Sequence, residues 1–154
     1  MLTEEKAIDY ELNDDIASFL QSLKSSLKHP MEGCTEEEII YIKQLAKGKC
    51  LPNSYIEFMK MAGNGIGFLR GSDYTFCNIG KLKIWAIELL EEDNSKETLT
   101  DNDFVFFMHQ GYQFVFFKLD EGNNPPVYSY TEGDNSFTEY KSIYDFLFEL
   151  FNGF

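Results

Sequence analysis

Residues 51–68, LPNSYIEFMKMAGNGIGF, decide the fold. They read as a stop, a short helix and a tight glycine exit. Pro52 suits the first turn of a helix, where its missing N–H costs nothing. Tyr55, Phe58, Met59 and Ala62 recur at helical spacing and make one apolar face. Gly63, Asn64 and Gly65 then end the helix, because glycine and asparagine accept the left-handed conformation of a C-terminal cap.

Upstream, Thr35 followed by Glu36, Glu37 and Glu38 marks a helix start. The threonine caps, the acids face the positive end of the dipole, and Thr35 to Glu38 has capping-box spacing. Farther back, Ile16, Phe19, Leu20, Leu23 and Leu27 draw another helical stripe, capped by Asp14 or Asp15 and ended by His29 and Pro30. Residues 1–14 are polar and are expected to pack loosely.

Downstream the signal changes to strands. Residues 68–69 and 74–79 are short apolar or β-branched segments between glycines, and residues 82–85 close this part. Residues 86–93 read as a short helix with Ile87 and Leu90 inward, and residues 94–102 as a loop. A hairpin follows, with residues 104–110 and 113–119 flanking Gly111. Simple alternation puts Phe104, Phe106 and Met108 on one side and Val105, Phe107 and His109 on the other. Strands apolar on both faces lie inside a covered sheet, or leave one face open for a partner. Residues 127–131 and 137–140 read as two more strands. Ser142 caps a last helix striped by Ile143, Phe146, Leu147, Leu150 and Phe151. No β-α-β alternation appears. The expectation is a single α+β domain over residues 1–154, with a mainly antiparallel sheet packed by helices.

This pattern resembles the SUKH superfamily, named after fungal cell-wall-synthesis regulators and rich in bacterial immunity proteins. The residues that carry the resemblance are Glu38, Ile39, Ile40, Tyr41 and Ile42, then Leu51 and Pro52, Tyr55, Phe58, and Asn64 with Gly65. It covers residues 35–151. Lys43 and Gln44 stand where the family often carries a glutamate. The resemblance implies a non-catalytic protein-binding domain: an immunity protein that neutralises a secreted toxin, often a nuclease, or a regulatory scaffold linked to cell-wall assembly.

Charge points the same way. The chain has 26 acidic and 13 basic side chains, a net charge of −13. Such a surface repels nucleic-acid phosphate and anionic lipid, and Arg70 is the one arginine. It attracts a basic partner. Residues 101–154 hold nine acids against Lys118 and Lys141, together with 16 of the 25 aromatics. Aromatics anchor an interface while rim charge steers encounter. Loops and strand ends therefore nominate Asp101, Asp103, Asp120, Glu121, Glu132 and Asp134 as steering acids, and Tyr112, Tyr128 and Tyr130 as anchors.

Chemistry finds little support in the residues. The glycines of residues 63–67 follow a helix and lack a phosphate-binding lysine. His29 and His109 are the only imidazoles, and no Gly-x-Ser-x-Gly elbow surrounds a serine. Cys34, Cys50 and Cys77 form no Cys-x-x-Cys pair, so reduced thiols in a cytoplasmic setting are expected. Asp93 and Asn94, or Asp101 to Asp103, lack the spacing of a calcium loop. No metal, no cofactor and no catalytic residue is expected. The N-terminus is acidic rather than basic-then-apolar, and no apolar run is long enough to span a bilayer.

Overall fold

The computed structural model describes residues 18–21, 31–66 and 72–152. Its elements run β1 (Met31–Glu32), α1 (Glu36–Leu45), α2 (Asn53–Ala62), β2 (Gly65–Ile66), β3 (Ser72–Asp73), α3 (Phe76–Ile79), α4 (Leu82–Glu92), β4 (Asp103–His109), β5 (Gln113–Lys118), β6 (Val127–Thr131), β7 (Thr138–Tyr140) and α5 (Ile143–Asn152). Strands β3 to β7 form one antiparallel sheet in chain order, and β1 pairs with β2 separately. This is an α+β fold.

The helix starts follow local chemistry. Thr35 closes a full capping box: its hydroxyl accepts from Glu38 N at 3.1 Å, and Glu38 Oε1 accepts from Thr35 N at 2.8 Å. Ser142 caps α5 through Asp145 N at 3.0 Å. Pro52 sits one place earlier than expected, as the N-cap of α2, where its carbonyl accepts from Ile56 N at 3.1 Å. The orphan amide of Ser54 is satisfied by Asn123 O at 3.0 Å.

The end of α2 departs from expectation. Gly63 has φ −66°, an ordinary right-handed value. Its glycine is required by proximity: a Cβ there would lie 2.3 Å from Cys34 Sγ. A side chain on Gly33 would meet Lys60 O at 1.8 Å. The two glycines let β1 and the exit of α2 press together.

Residues 74–79 and 82–85 are a second correction. They fold as the end of the β3 connection, then α3 and the first turn of α4, not as strands. Once α4 starts at Leu82, its inner face is Leu82, Ala86, Leu89 and Leu90, while Ile87 points outward. Reading the helix from residue 86 placed Ile87 in the wrong phase. The predicted strand residues Phe68 and Leu69 lie outside the described residues. So does most of the early helix, of which residues 18–21 are helical with Leu20 buried.

The hairpin is present but not regular. Phe104 pairs with Phe117 and Val105 with Phe116, after which Phe107 pairs with Val115 and Met108 with Phe114. Phe106 is the extra residue of a β-bulge. The bulge breaks the expected alternation, so Met108 joins Val105, and Phe107 joins Phe104. Both sheet faces are covered. On one, Tyr55 of α2 meets Phe104, Phe106 and Phe117 with centroids 5.2–5.8 Å apart, and Phe146 of α5 meets Phe106 and Phe107 edge-on. On the other lie α4 and Phe137, whose ring stands edge-on to Phe114 and Phe116. Phe104 to Met108 and Phe114 to Phe117 are all buried.

Candidate functional site

The nine nominated residues divide between the two ends of the sheet. At the end where β4 starts, Asp103 is buried, and its Oδ2 accepts from Thr100 N at 2.8 Å and Thr100 Oγ1 at 3.2 Å. Asp120 accepts from Cys50 N at 2.7 Å and donates its own amide to Cys50 O at 3.1 Å. These acids tie loops together. Asp101 and Glu121 are exposed nearby. Half-buried Tyr128 stacks on Phe116, and Lys118 Nζ lies 5.3 Å from its ring centroid. Toward the other end, opposite Phe114, Tyr130 is fully buried, and its hydroxyl donates to Asp93. Asp103 and Tyr130 are thus closed to solvent and serve the fold.

At the other end, the β4–β5 turn carries Gln110 (φ 50°) and Gly111 (φ 78°), and presents Tyr112 with 38% of its surface exposed. Two positive φ values in succession are the signature of a hairpin turn that matches strand twist. Glu132 N donates to Tyr112 O at 2.8 Å, which brings the β6–β7 turn alongside. Asp134 turns back to accept from Thr131 N at 2.9 Å. The Tyr130 hydroxyl, followed by Gly133 N at 2.8 Å, holds the Asp93 carboxyl below its ordinary value. Tyr112, Glu132 and Asp134 are therefore gathered by the fold.

Beside them lies a cleft of about 250 Å³ that sequence reasoning missed. Its wall is Trp85, Glu88 and Glu92 of α4, Asp73 of β3, Met108 of β4 and Gly111 of the turn. Asn78 Nδ2 donates to Asp73 at 3.0 Å and fixes that carboxylate. Among the described residues the one ion pair is Lys60–Glu57, at 3.5 Å, so none of these acids is neutralised by a lysine. An aromatic face ringed by carboxylates suits an ammonium or guanidinium group. Positions 85, 88 and 92 share one helical face, a signal available once α4 is phased from Leu82.

The opposite side of α4 faces a second concavity, of about 480 Å³, between α1, α4 and β4. Its lining is apolar, with Lys47, Lys49 and Lys83 on it.

Nucleophilic groups are arranged poorly for attack. Ser72 Oγ lies 3.0 Å from His109 Nδ1, and among the described residues no carboxylate bonds the other ring nitrogen. Burial first, and the Glu38 charge second, push the Cys34 thiol up to about 11, the reverse of an activated thiolate. No group of three His, Cys, Asp or Glu side chains among the described residues is placed to hold a metal ion. No described helix is long and apolar enough to cross a membrane.

The model of the SMI1 / KNR4 family (SUKH-1) matches residues 33–149. The chain belongs to this family. Its members are in general non-enzymatic immunity or regulatory proteins. No curated protein and no solved structure matches the chain. In this SUKH-1 chain the Asn-Gly exit acts as a clasp. Asn64 Nδ2 donates to Glu38 Oε1 at 2.9 Å and to Gly33 O at 3.0 Å, while Asn64 N donates to Glu32 O at 2.8 Å. The start of α1 and the end of α2 are thereby locked to β1. The Thr35 amide and then the Asn64 amide hold the Glu38 carboxyl below its ordinary value.

Proposed function

We propose that this SUKH-1 chain is a non-catalytic binding domain, an immunity protein that holds and neutralises a cognate toxin of the nuclease type in the cytoplasm. The observation that carries the reading is the cleft of Asp73, Trp85, Glu88 and Glu92 beside exposed Tyr112. A nuclease presents lysine and arginine to grip phosphate. One such side chain fits over Trp85 between the carboxylates, and Tyr112 lies beside it as an aromatic anchor. Glu132, Asp134, Asp101, Asp120 and Glu121 act at longer range, steering encounter. Inhibition then needs complementarity only, with no bond made or broken.

A regulatory scaffold linked to cell-wall assembly is the second reading. It draws support from membership of the family, whose members are in general immunity or regulatory proteins.

The test is co-expression with candidate nuclease toxin domains from the same genome. The expected outcome is rescued growth, co-purification, and association that slows steeply as salt rises, since exposed charges are screened beyond about 8 Å at physiological ionic strength. If growth is not rescued and the two proteins do not associate, the immunity reading falls for that pair.

A further inference from the structure

The groove between α1, α4 and β4 joins three properties. Its volume of about 480 Å³ lies within the roughly 300–1,000 Å³ of small-ligand sites. Its floor is apolar, built from Leu45, Ile79, Phe104 and Leu119, and at its lip Ile84 and Ile87 are 58% and 38% exposed. Its charged groups are three ammonium ions against the two carboxylates of Asp101 and Asp103, a local excess of positive charge in a chain with twice as many acids as bases.

Two of those ammonium ions rest on neutral acceptors. Lys83 Nζ donates to Thr100 O at 2.6 Å, and Lys49 Nζ to the Asn102 side chain. Among the described residues none of Lys47, Lys49 and Lys83 forms an ion pair. Asp101 and Asp103 also line the groove; Asp103 Oδ2 is engaged by Thr100 while its buried Oδ1 has no hydrogen-bond partner among the described residues, so the three ammonium groups face two carboxylates and keep a net positive charge. Burial pulls Lys83 below its ordinary value; Asp103 and Asp101 oppose this, and Lys47 and Lys49 reinforce it. An anion brought among the three would offset both the burial and the mutual repulsion.

We propose that this groove binds a small amphipathic anion, a medium-chain carboxylate whose apolar chain lies along Ile84, Ile87 and Phe104 and whose head group meets Lys47, Lys49 and Lys83. A concavity of this volume fits a small molecule better than a protein segment, which takes a longer and flatter surface. The site is independent of the acidic cleft, so toxin binding and carboxylate binding stand or fall separately.

The test titrates the full chain with decanoate, below its micelle concentration, and follows backbone amide resonances. Saturable shifts confined to residues 45–49, 79–87 and 101–105 are expected. Decanol, with the same chain and no charge, should bind about tenfold or more weakly, the difference a charge-assisted hydrogen bond makes. Replacing Lys49 and Lys83 together by methionine should bring decanoate to the decanol level and leave decanol unchanged. If that variant fails to fold, Ile84→Glu at the exposed lip provides the check, since its carboxylate should abolish decanoate binding. Shifts that do not saturate or spread beyond the groove overturn the proposal. So does equal binding of decanol and decanoate, or affinity untouched by these variants. An acidic apolar peptide that binds there when decanoate does not also overturns it, by assigning the groove to a protein partner.

Discussion

The two sides of α4 differ in every chemical respect that matters for recognition. One side presents Trp85, Glu88 and Glu92 toward Asp73 and the hairpin turn. The other presents Lys83, Ile84 and Ile87 toward Lys47 and Lys49. A net charge of −13 describes neither. Charge is screened over about 8 Å in physiological salt, so what each face binds is set by its own few groups, while acids elsewhere act only on the approach of a partner. A single helix, with side chains alternating every three to four residues, is enough to separate a surface for cations from one for anions.

The largest expected effect removes the core beneath both sides at once. Tyr55→Ala empties the ring cluster with Phe104, Phe106 and Phe117 and should cost about 3–5 kcal/mol in urea unfolding. Tyr55→Phe should do the opposite, adding about 1 kcal/mol, because the buried Tyr55 hydroxyl has no hydrogen-bond partner among the described residues. A large loss from Tyr55→Phe would mean that the hydroxyl holds a partner after all.

Next comes charge reversal on one side. Glu88→Lys with Glu92→Lys should slow association with the cognate toxin about tenfold or more at low salt, whereas Lys47→Glu with Lys49→Glu should not slow it. Stopped-flow rates decide this. Equal slowing by both pairs would erase the distinction between the two sides.

The smallest effect is on the pH dependence of stability. Glu38 and Asp93 have folded-state pKa values below their ordinary 4.5 and 3.8. A depressed carboxyl gives stability that is present above its unfolded pKa and lost as pH falls through the folded one. Glu38→Gln and Asp93→Asn should therefore each flatten the acid limb of the stability curve below about pH 5 and leave its slope near pH 8 unchanged. Thermal melts across that range measure it, and an unchanged acid limb would deny both groups this role.

What was legible in the sequence was local. The capping box at Thr35, the Ser142 cap and the apolar face of α2 depend on residues within a turn or two of each other. The bulge was not legible. Both faces of β4 are apolar, so no polar residue marks where alternation slips. Residues 76–79 and 82–85 misled because short apolar runs fit strand or helix alike until packing chooses. The acidic cleft was hidden for another reason: Asp73, Trp85 and Met108 lie on three separate elements. Acids chosen from loops proved a mixture, since Asp103 and Asp120 bind backbone amides while Glu132 stands beside Tyr112.

The extra phenylalanine in β4 bears on how this chain tolerates changes of length. Losing one residue from a central strand normally turns every later side chain inside out. Here the pairs on both sides of Phe106 already match the partner strand without it. Excising that single position would leave Val105 and Phe107 opposite Phe116 and Val115, as they are now, and sacrifice only one aromatic ring. The middle of the sheet is thus the place where the ladder can be shortened without being rethreaded.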